Sequence, residues 1–317
     1  MKLASIDIGT NSTRLLITDY QNNKFIPLER KMKITRLGKN LDENNMIGKD
    51  SASMTVEVLS DYQRLIEDYD VKKFRVVGTS AVRKASNSDW FISCVYKHLG
   101  MKIDVVSGQE EARLSFYGAV RDMDLNYPDY KAELNGKILV VDIGGGSSEF
   151  ILGDCNYNLQ LVESLNLGCV SLTEKFIGSS ISSIPDTNSL SQMQQYVINE
   201  LEETTGKINL YKPAFIIGVA GTITTLAAID LKLAAYNSEK IHRYILSLKK
   251  IENIYKNLCR LNLKGRKKVV GLHPGRADVI IGGTAIVLGV LKLLDVKDIL
   301  VSERDILDGI IYTLIDF

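Results

Sequence analysis

A short pattern of residues occurs twice in this chain, and the repeat constrains the fold more than any other feature. Residues 7–19 read DIGTNSTRLLITD, and residues 142–154 read DIGGGSSEFILGD. Each copy follows an apolar run of the kind that forms a buried strand. Each copy therefore predicts a strand, a glycine-containing turn and a second strand. A duplicated hairpin predicts two like halves, with one turn each, facing a shared cleft.

Both turns have the composition of an anion-binding loop. They are rich in Gly, Ser, Thr and Asn, whose backbone N–H groups and hydroxyls can surround an anion. The second turn contains three successive glycines, at 144–146. Three glycines cost backbone entropy and give up side-chain packing, which is explained if a phosphate group approaches the backbone closely. The pair of turns therefore predicts phosphate chemistry.

Two acids flank the second turn. Asp142 lies at its mouth, and Glu149 lies on the returning strand. Two carboxylates beside a phosphate loop indicate a cation between them and the phosphate, and Mg²⁺ prefers such an oxygen-only, partly hydrated environment. We therefore predict a site for Mg²⁺, or another divalent cation, at Asp142 and Glu149. The alternative is a glycine-rich turn flanked by surface acids.

The first turn has the opposite charge. Arg14 occupies the position that Glu149 has in the second copy. One acidic and one basic turn would suit two halves that bind a metal–phosphate unit. The alternative is that Arg14 simply pairs with a neighbouring acid, and the sequence leaves both interpretations open.

A third turn, at 218–224, leads from a strand into the start of a helix and contains Thr222. Unpaired N–H groups and the positive end of the helix dipole make such a turn an anion site. Gly and Thr also serve as ordinary helix caps, so this signal is weak alone.

A pair of acids begins the helix predicted from Gly108. Glu110 shares a helix face with Leu114 and Tyr117, whereas Glu111 shares a face with Ser115 and Gly118. The small groups on the second face are expected to leave space beside them. Glu111 is therefore the better candidate for a carboxylate that orients and deprotonates a water molecule.

Arg83 follows a short apolar strand and lies three residues after Ser80, on the same helical face. A guanidinium beside a hydroxyl at a sheet edge suits a phosphate. An isolated arginine is more often a surface charge.

The order of the elements predicts a two-domain α/β protein. Strands alternate with helices throughout, and the chain of 317 residues is long enough for two cores. The segment 121–136, with Pro128 and little periodicity, is the best candidate hinge. We predict an N-terminal domain over 1–125 and a C-terminal domain over 126–317, with the last helix, 304–317, packing back on the N-terminal domain. One long apolar helix is predicted from Pro274 to Leu294.

Composition excludes several classes of protein. The net charge of +1 gives no overall basic field that would recruit nucleic acid or a membrane. No apolar run approaches the roughly 20 residues that span a bilayer, and no export signal is recognisable, so we expect a cytoplasmic protein. The cysteines and histidines show no metal-ligand spacing.

Taken together, these motifs resemble the exopolyphosphatase and guanosine pentaphosphate phosphohydrolase (Ppx/GppA) family, within the actin-like, sugar kinase and Hsp70 ATPase superfamily. The resemblance extends through nearly the whole chain in family order. It rests on IDIGTNSTRLLI (6–17), GTSAVRKA (78–85), GQEEARL (108–114), VVDIGGGSSEFILG (140–153), NLGCVSLTEKF (166–176), GVAGTITTLAA (218–228) and PGRADVIIGG (274–283).

The resemblance implies two actin-like (ribonuclease H-like) domains, each a mixed sheet flanked by helices, around a central cleft. It implies hydrolysis of a terminal phosphoanhydride, with Mg²⁺ as the usual cation. The family's catalytic glutamate maps onto Glu111, its phosphate-contacting arginine onto Arg83, and its metal-side acids onto Asp142 and Glu149. The expected phosphate-binding residues are Asn11, Ser12, Gly144, Gly145, Gly146, Ser147, Ser148 and Thr222.

The ligand is therefore expected to be inorganic polyphosphate or a guanosine penta- or tetraphosphate of the stringent response, and the sequence does not decide between them. The alternatives are an ATP-dependent kinase of the same superfamily, a non-catalytic (p)ppGpp sensor and an actin-like filament protein. A homodimer is a further expectation from the resemblance. Two basic clusters, one from Arg30 to Arg36 and one from Lys264 to Lys268, either line a path for a polyanion or are solvated surface.

Overall fold

The structure is a computed structural model, and it describes residues 1–126 and 136–315. The chain forms two compact units. The first unit comprises Met1–Gly118 and the segment that begins at Asp305, and the second unit comprises Ala119–Arg304. Most of the predicted hinge, 121–136, lies outside the described residues. The predicted domain boundary at residue 125 stays a prediction.

The first unit contains a five-stranded mixed sheet. Its strands are β1 (Lys2–Ile8), β2 (Ser12–Gln21), β3 (Lys24–Ile34), β4 (Lys73–Gly78) and β5 (Asp104–Val105). Their order in the sheet is β3-β2-β1-β4-β5. The first three strands are antiparallel neighbours, whereas β4 runs parallel to β1 and β5 parallel to β4. The central strand β1 is a nearly continuous buried run, as expected for a strand that is covered on both faces.

Helices of the first unit include one long amphipathic helix and the helix that carries the predicted catalytic acid. They are α1 (Leu41–Asn44), α2 (Lys49–Asp68), α3 (Ser80–Lys84), α4 (Ser88–Leu99), α5 (Gly108–Asn126), which belongs to this unit as far as Gly118, and, near the end of the chain, α13 (Ile306–Thr313). The apolar residues of α2 recur at helical spacing and bury one face. Helix α4 ends at Gly100, which adopts a left-handed conformation.

The sheet of the second unit repeats the strand arrangement of the first sheet. Its strands are β6 (Ile138–Ile143), β7 (Ser148–Gly153), β8 (Leu159–Leu165), β9 (Phe215–Val219), β10 (Ile245–Ser247) and β11 (Asp298–Val301). Read from the β8 edge, the order is β8-β7-β6-β9-β11, with β10 added antiparallel at the far edge. The parallel and antiparallel pairings match those of the first sheet strand for strand. The duplication seen in the sequence therefore extends to the whole sheet.

The second unit is built around one helix that is apolar on every side. Its helices are α6 (Cys169–Phe176), α7 (Thr187–Asn209), α8 (Ala220–Asp230), α9 (Ser238–Ile241), α10 (Leu248–Cys259), α11 (Leu263–Arg266) and α12 (Ile280–Leu293). Helix α12 packs against α6, α7, α8 and α10, and twelve of its fourteen residues are buried. Burial on all sides explains why this segment carries no polar face.

The prediction of one helix from Pro274 to Leu294 was wrong at its beginning. Residues Pro274–Arg276 form a separate 3₁₀ turn, and α12 begins only at Ile280. The turn is fixed by His273, whose Nδ1 accepts the N–H of Gly275 at 3.1 Å. Bonds between residues three apart, from Ala277 to Pro274 and from Val279 to Arg276, follow this cap, so regular α-helical bonding begins only after them.

Helices α5 and α13 approach each other through glycines. A Cβ atom on Gly118 would lie 1.8 Å from the carbonyl oxygen of Asp305, and one on Gly309 would lie 1.9 Å from that of Leu114. The sequence predicted open space beside the small residues on the Glu111 face of α5, and this prediction was wrong. They admit the backbone at the beginning of α13 instead.

No helix in the described ranges is both long enough and apolar enough to cross a membrane.

The glycine contact between α5 and α13 generates the first prediction. Replacing Gly309 with Ala should destabilise the protein by about 3 kcal/mol, because the new methyl group overlaps the backbone of α5. The matched control is Gly206→Ala in α7, where a Cβ atom meets nothing within 4 Å. That control should be neutral or stabilising by up to ~1 kcal/mol. Urea unfolding monitored by circular dichroism measures both, and equal effects of the two substitutions would contradict the close packing.

Candidate functional site

The first turn, between β1 and β2, is held by backbone hydrogen bonds. The N–H of Gly9 donates to the carbonyl of Ser12 at 3.0 Å. The carbonyl of Asn11 accepts the N–H groups of Thr35 and Arg36, which follow β3. Asn11 is buried, with 9% of its surface exposed. The turn is therefore fixed from behind by the segment that follows β3.

The second turn, between β6 and β7, has the same internal bond. The N–H of Gly144 donates to the carbonyl of Ser147, again at 3.0 Å. The carbonyls of Gly144 and Gly145 accept the N–H groups of Cys169 and Val170, the first two residues of α6. The backbone of the turn thus caps the beginning of a helix.

Contact between this turn and α6 is closer than any side chain would allow. A Cβ atom on Gly168 would lie 2.2 Å from the carbonyl oxygen of Gly145. Because the carbonyls of Gly144 and Gly145 face α6, the backbone of the turn can present an N–H group to another ligand. Within the described residues the N–H of Gly145 has no acceptor. This geometry supports an anion site.

Other predicted phosphate-binding residues of the second turn are also buried. Gly146, Ser147 and Ser148 all lie below the surface. The hydroxyl of Ser148 donates to the carbonyl of Leu167 at 2.5 Å, so this side chain fixes the turn in place.

The two predicted metal-side acids lie directly opposite each other. Asp142 and Glu149 are cross-strand partners on β6 and β7, with 7% and 1% of their surface exposed. The hydroxyl of Ser164 donates to Oε1 of Glu149 at 2.9 Å and orients that carboxylate. Mg²⁺ is usually held by one or two protein carboxylates together with substrate phosphates and water, so this pair fits the ion. Among the described residues no group of three or more His, Cys, Asp or Glu side chains is arranged around a common point.

Arg14 occupies the equivalent position in the first hairpin, and the structure resolves the question that the sequence left open. Its cross-strand partner is Asp7, and its Nε and Nη2 donate to Oδ2 of Asp7 at 2.9 and 2.7 Å. Its Nη1 donates to Asp305. Arg14 therefore pairs with acids of its own unit, one of them distant in sequence.

These residues belong to a buried charged cluster, which we define as Asp7, Arg14, Arg30, Asp305 and Asp308. Arg30 donates to Asp308 at 2.6 Å, so its guanidinium is paired with an acid and is not part of a solvated basic face. Burial raises the pKa of the Asp7 carboxyl, against the opposing effect of Arg14, and the negative charge of Asp305 raises it further. The pKa of Asp305 is lowered, because its two arginine neighbours and the N–H of Leu307 outweigh the effect of burial.

The second basic cluster of the sequence is not uniformly on the surface either. Arg266 is fully buried, and its Nη2 donates to the carbonyl of Ile181 at 2.9 Å. An interpretation of this arginine as part of a polyanion path is therefore wrong.

The predicted catalytic pair of the first unit is in direct contact. Nη1 of Arg83 donates to Oε2 of Glu111 at 2.8 Å and to the carbonyl of Val106 at 2.9 Å. Glu111 is 9% exposed, whereas Glu110 is less buried, as the helix faces indicate. Ser107 begins α5 by accepting the N–H of Glu110 on its hydroxyl, which fixes the first turn of the helix.

The third predicted turn has strained backbone. Ala220, the first residue of α8, adopts a φ of 67°, a left-handed conformation that residues with a side chain rarely take. Such strain is concentrated at binding and catalytic sites. Thr222 is buried against Gly283 of α12, where a Cβ atom would lie 2.7 Å from the threonine hydroxyl oxygen.

Sequence reasoning missed one arginine at this turn. A Cβ atom on Gly221 would lie 1.5 Å from Nη1 of Arg276, so the guanidinium lies flat against the turn. The signal was present in the motif that contains Arg276, but the sequence gives no reason to place that motif beside Gly221. Within each unit the predicted residues are thus brought together, as Arg83 with Glu111 and as Asp142 with Glu149.

Comparison with known proteins identifies the class to which this fold and these residues belong. The model of the Ppx/GppA phosphatase family matches residues 16–316. The chain belongs to this family, and the resemblance noted in the sequence is confirmed.

Relatives at the level of sequence include proteins of several lengths. Exopolyphosphatase 2 of Mycobacterium tuberculosis is 32% identical, over 99% of this chain and 98% of the relative. A bifunctional 3-dehydroquinate synthase/phosphatase of Fusobacterium nucleatum is 36% identical, over 97% of this chain. A guanosine-5'-triphosphate,3'-diphosphate pyrophosphatase of Aliivibrio fischeri is 28% identical, over 99% of this chain. This chain spans 46% and 59% of the length of the last two proteins.

Solved structures resemble the whole chain. An exopolyphosphatase from Cytophaga hutchinsonii is 28% identical with a TM-score of 0.88, and covers 100% of this chain and 98% of its own. The Ppx/GppA family member from Aquifex aeolicus is 28% identical with a TM-score of 0.80, and covers 99% of this chain and 97% of its own. The predicted α/β fold with two mixed sheets and the predicted class, a phosphohydrolase, are confirmed. The roles of the individual site residues stay predictions.

The buried charged cluster yields a prediction about acid stability. Asp305→Asn keeps a residue that can cap α13 but removes a charge between two arginines, so it should cost about 3 kcal/mol at pH 7. The folded pKa of Asp305 lies below its ordinary value of 3.8. Its stabilising contribution is therefore complete above that pH and is lost as the pH falls through the folded pKa. The difference between wild type and variant should shrink accordingly in urea unfolding below pH ~4.

The matched control is Asp186→Asn at the exposed N-cap of α7, where the side chain accepts the N–H of Ser189. This substitution should change stability by less than ~0.5 kcal/mol, because asparagine caps a helix about as well as aspartate does. Similar losses at both caps would show that the ion network contributes little.

Proposed function

We propose that this protein is a phosphohydrolase that releases the terminal phosphate of inorganic polyphosphate, of pppGpp to give ppGpp, or of both. The observation that carries the proposal is the partly buried contact between Arg83 and Glu111, one cationic and one acidic group, in the motifs that resemble the family's catalytic segments. The names of the relatives support it, because they include exopolyphosphatases and guanosine-5'-triphosphate,3'-diphosphate pyrophosphatases.

Arg83 is arranged to bind a phosphate without releasing Glu111. Both hydrogen bonds that its guanidinium makes to the described residues use Nη1, one to Val106 and one to Glu111. Among the described residues Nε and Nη2 have no acceptor, and these two atoms form the fork that binds phosphate oxygens in pairs. We propose that Arg83 neutralises the terminal phosphate through this fork.

Glu111 is the proposed general base. Its ion pair with Arg83 fixes one carboxylate oxygen, so a water molecule that hydrogen-bonds to Glu111 is held next to the phosphate on Arg83. Deprotonation of that water as it attacks phosphorus gives inorganic phosphate and the shortened substrate. Phosphoryl transfer depends on positioning and charge stabilisation, so no serine or cysteine nucleophile is needed.

The glycine turns are proposed to bind the remaining phosphate oxygens. Asn11 and Ser12 act from the first unit, and the backbone from Gly144 to Ser148 acts from the second. Thr222 and the beginning of α8 add a third set of N–H donors.

Asp142 and Glu149 are the proposed holders of Mg²⁺ or another divalent cation. When bound, the ion would neutralise part of the charge on the phosphates. The protein's own contribution is to keep two carboxylates opposed and one of them oriented by Ser164. A cytoplasmic location and a homodimer remain predictions from the sequence.

Two other functions make different predictions about phosphate release. A kinase of the same superfamily would need ATP and a small acceptor. A non-catalytic (p)ppGpp sensor would bind nucleotide and release no phosphate. Incubation of the protein with long polyphosphate, short polyphosphate, pppGpp or ATP, without an acceptor, separates these functions. Steady phosphate release from polyphosphate or pppGpp supports the hydrolase, and its absence from both contradicts it.

Removing the proposed base provides the sharper test. Glu111→Gln should lower kcat by about 100-fold to 10,000-fold, because glutamine cannot take the proton of the attacking water. Substrate binding should stay within about threefold, because Arg83 and the glycine turns remain. Phosphate release and equilibrium binding of the substrate are the two measurements.

The matched control is Glu110→Gln, the neighbouring acid on the same turn of α5. It should retain nearly all activity. Equal losses in the two variants, or wild-type turnover in Glu111→Gln, would rule out the proposed role of Glu111.

A further prediction concerns the cation. Asp142→Asn and Glu149→Gln should each raise the Mg²⁺ concentration needed for half-maximal activity by tenfold or more, since each removes one charged ligand. Glu163→Gln on the neighbouring strand β8, whose carboxylate pairs with Lys207, is the control and should not shift the titration. Activity that persists in excess EDTA would contradict the metal site.

A further inference from the structure

The hydroxyl of Ser80 is buried in the first unit without a hydrogen-bond partner. Ser80 is 3% exposed, and among the described residues no group donates to its Oγ or accepts from it. A buried hydroxyl that lacks a partner costs free energy, because it has given up its hydrogen bonds to water. Since nearly all buried polar groups in folded proteins are paired, this hydroxyl indicates that a ligand completes the site.

The position of Ser80 explains why its own helix cannot supply the partner. A hydroxyl inside a helix can donate to the carbonyl four residues earlier. Three threonines of the second unit do so, namely Thr205 with Leu201, Thr225 with Gly221 and Thr284 with Ile280. Ser80 is the first residue of α3, and the residue four places earlier, Val76, belongs to strand β4. The usual intrahelical bond is therefore not open to Ser80.

Ser80 lies beside the turn between β1 and β2. The residue before it, Thr79, donates both its N–H and its hydroxyl to the last carbonyl of β1, at 3.2 and 3.3 Å. The residue after it, Ala81, shares a neighbour with Thr10 of the turn. A Cβ atom on Gly38 would lie 2.4 Å from Thr10 Cγ2 and 3.4 Å from Ala81 Cβ. The beginning of α3 is thus packed against a turn that is proposed to bind phosphate oxygens.

The same side of α3 carries Arg83. Residues three apart on a helix are neighbours, so the side chains of Ser80 and Arg83 share one face. Ala81 and Val82 lie on the other side of α3 and pack into the apolar core of the unit. Within the part of the chain that the structure describes, Nε and Nη2 of Arg83 have no acceptor. One short helix therefore presents two guanidinium donors and one hydroxyl on a single face.

These three donors fit a tetrahedral phosphate better than other small ligands. A guanidinium fork binds two oxygens of an anion in a plane. A carboxylate has only two oxygens, so it would leave the hydroxyl without an acceptor. A phosphate has a further oxygen outside that plane, which can accept from the hydroxyl. A metal cation is disfavoured because the neighbouring side chain is itself positively charged.

We propose that the hydroxyl of Ser80 donates a hydrogen bond to the terminal phosphate of the substrate, while Nε and Nη2 of Arg83 bind two other oxygens of the same group. The inference rests on the proposed function and extends it, because it adds a substrate-binding residue and assigns it to one phosphate. A third fixed oxygen sets the rotation of the phosphate on the guanidinium. It thereby directs the phosphorus towards the water on Glu111.

The first test uses the opposite effects that Ser80→Ala should have on stability and on binding. Removing a buried hydroxyl that has no partner should leave the urea midpoint of the free protein unchanged or raise it. Affinity for inorganic phosphate, measured by ³¹P NMR titration, should fall about tenfold, as expected for loss of one hydrogen bond to a charged group. Unchanged phosphate affinity, or a lower urea midpoint that reveals a partner within the protein, would overturn the assignment.

Two further variants separate hydrogen bonding from packing. Ser80→Cys keeps a side chain of similar shape but replaces the hydroxyl with a weak donor, so it should also weaken phosphate binding about tenfold. Wild-type affinity in this variant would show that only packing matters. Ser86→Ala is the matched control, because the hydroxyl of Ser86 already donates to the carbonyl of Asn45 at 2.6 Å. It should lower the urea midpoint and leave phosphate affinity unchanged.

The claim that both side chains bind one phosphate is tested by combining their substitutions. In an Arg83→Gln background, Ser80→Ala should weaken phosphate binding by less than about threefold, because the phosphate has already lost the guanidinium that places it beside the hydroxyl. A full tenfold loss in that background would show that the two side chains act independently, which would overturn the shared site.

Failure of this inference can be distinguished from failure of the proposed function, because phosphate binding needs no turnover. If the protein released no phosphate from polyphosphate or pppGpp but bound inorganic phosphate about tenfold more weakly in Ser80→Ala, the hydrolase proposal would fail and the phosphate site would stand. If it hydrolysed these substrates and Ser80→Ala changed neither phosphate affinity nor kcat/KM, only the role of Ser80 would fail.

Discussion

A single backbone hydrogen bond, formed twice, determines the geometry on which the rest of the structure depends. In each hairpin a glycine N–H donates to the carbonyl of a serine three residues later, Gly9 to Ser12 and Gly144 to Ser147. This bond closes a turn in which the carbonyls are directed at supporting backbone, namely the residues after β3 in one unit and the beginning of α6 in the other. In the second turn this leaves the N–H of Gly145 without an acceptor among the described residues, and binding by backbone requires that no side chain intervene. The glycine requirement at Gly168 follows from the same constraint.

The two hairpins have the same backbone hydrogen bond but different electrostatic environments. In the second hairpin two acids oppose each other, whereas in the first an arginine opposes an acid. The first arrangement is neutralised within its own unit by the buried charged cluster that includes Asp305, so Arg14 has a structural partner in the closing segment of the chain. The second concentrates negative charge beside a turn suited to phosphate, and such charge is best compensated by a cation. Duplication thus preserved the fold while the two sites diverged in charge.

Much of this architecture could be predicted from the sequence, because it depends on local periodicity. The repeated hairpins, α2, α4 and the strands of both sheets except β10 follow from apolar spacing and turn residues, and the opposition of Asp142 and Glu149 follows from hairpin register. The greater burial of Glu111 than of Glu110 followed from helix faces, although the predicted open space beside Glu111 did not. What could not be predicted depends on contacts between distant segments. Arg14 and Asp305 are 291 residues apart in sequence. Arg276 lies against the turn at Gly221 that leads into α8, which is also distant from it in sequence. The burial of Arg266 and the 3₁₀ turn at Pro274 depend likewise on neighbours and caps that periodicity does not reveal.

The central claim is that water held by Glu111 attacks the terminal phosphorus. Turnover of pppGpp in water enriched in ¹⁸O tests this most directly, with the products analysed by mass spectrometry. The account predicts that one labelled oxygen appears in the released inorganic phosphate and none in ppGpp. Label in the nucleotide product would contradict the account. Loss of the terminal phosphate only when an acceptor alcohol is added, with the phosphoryl group found on that alcohol, would contradict it as well.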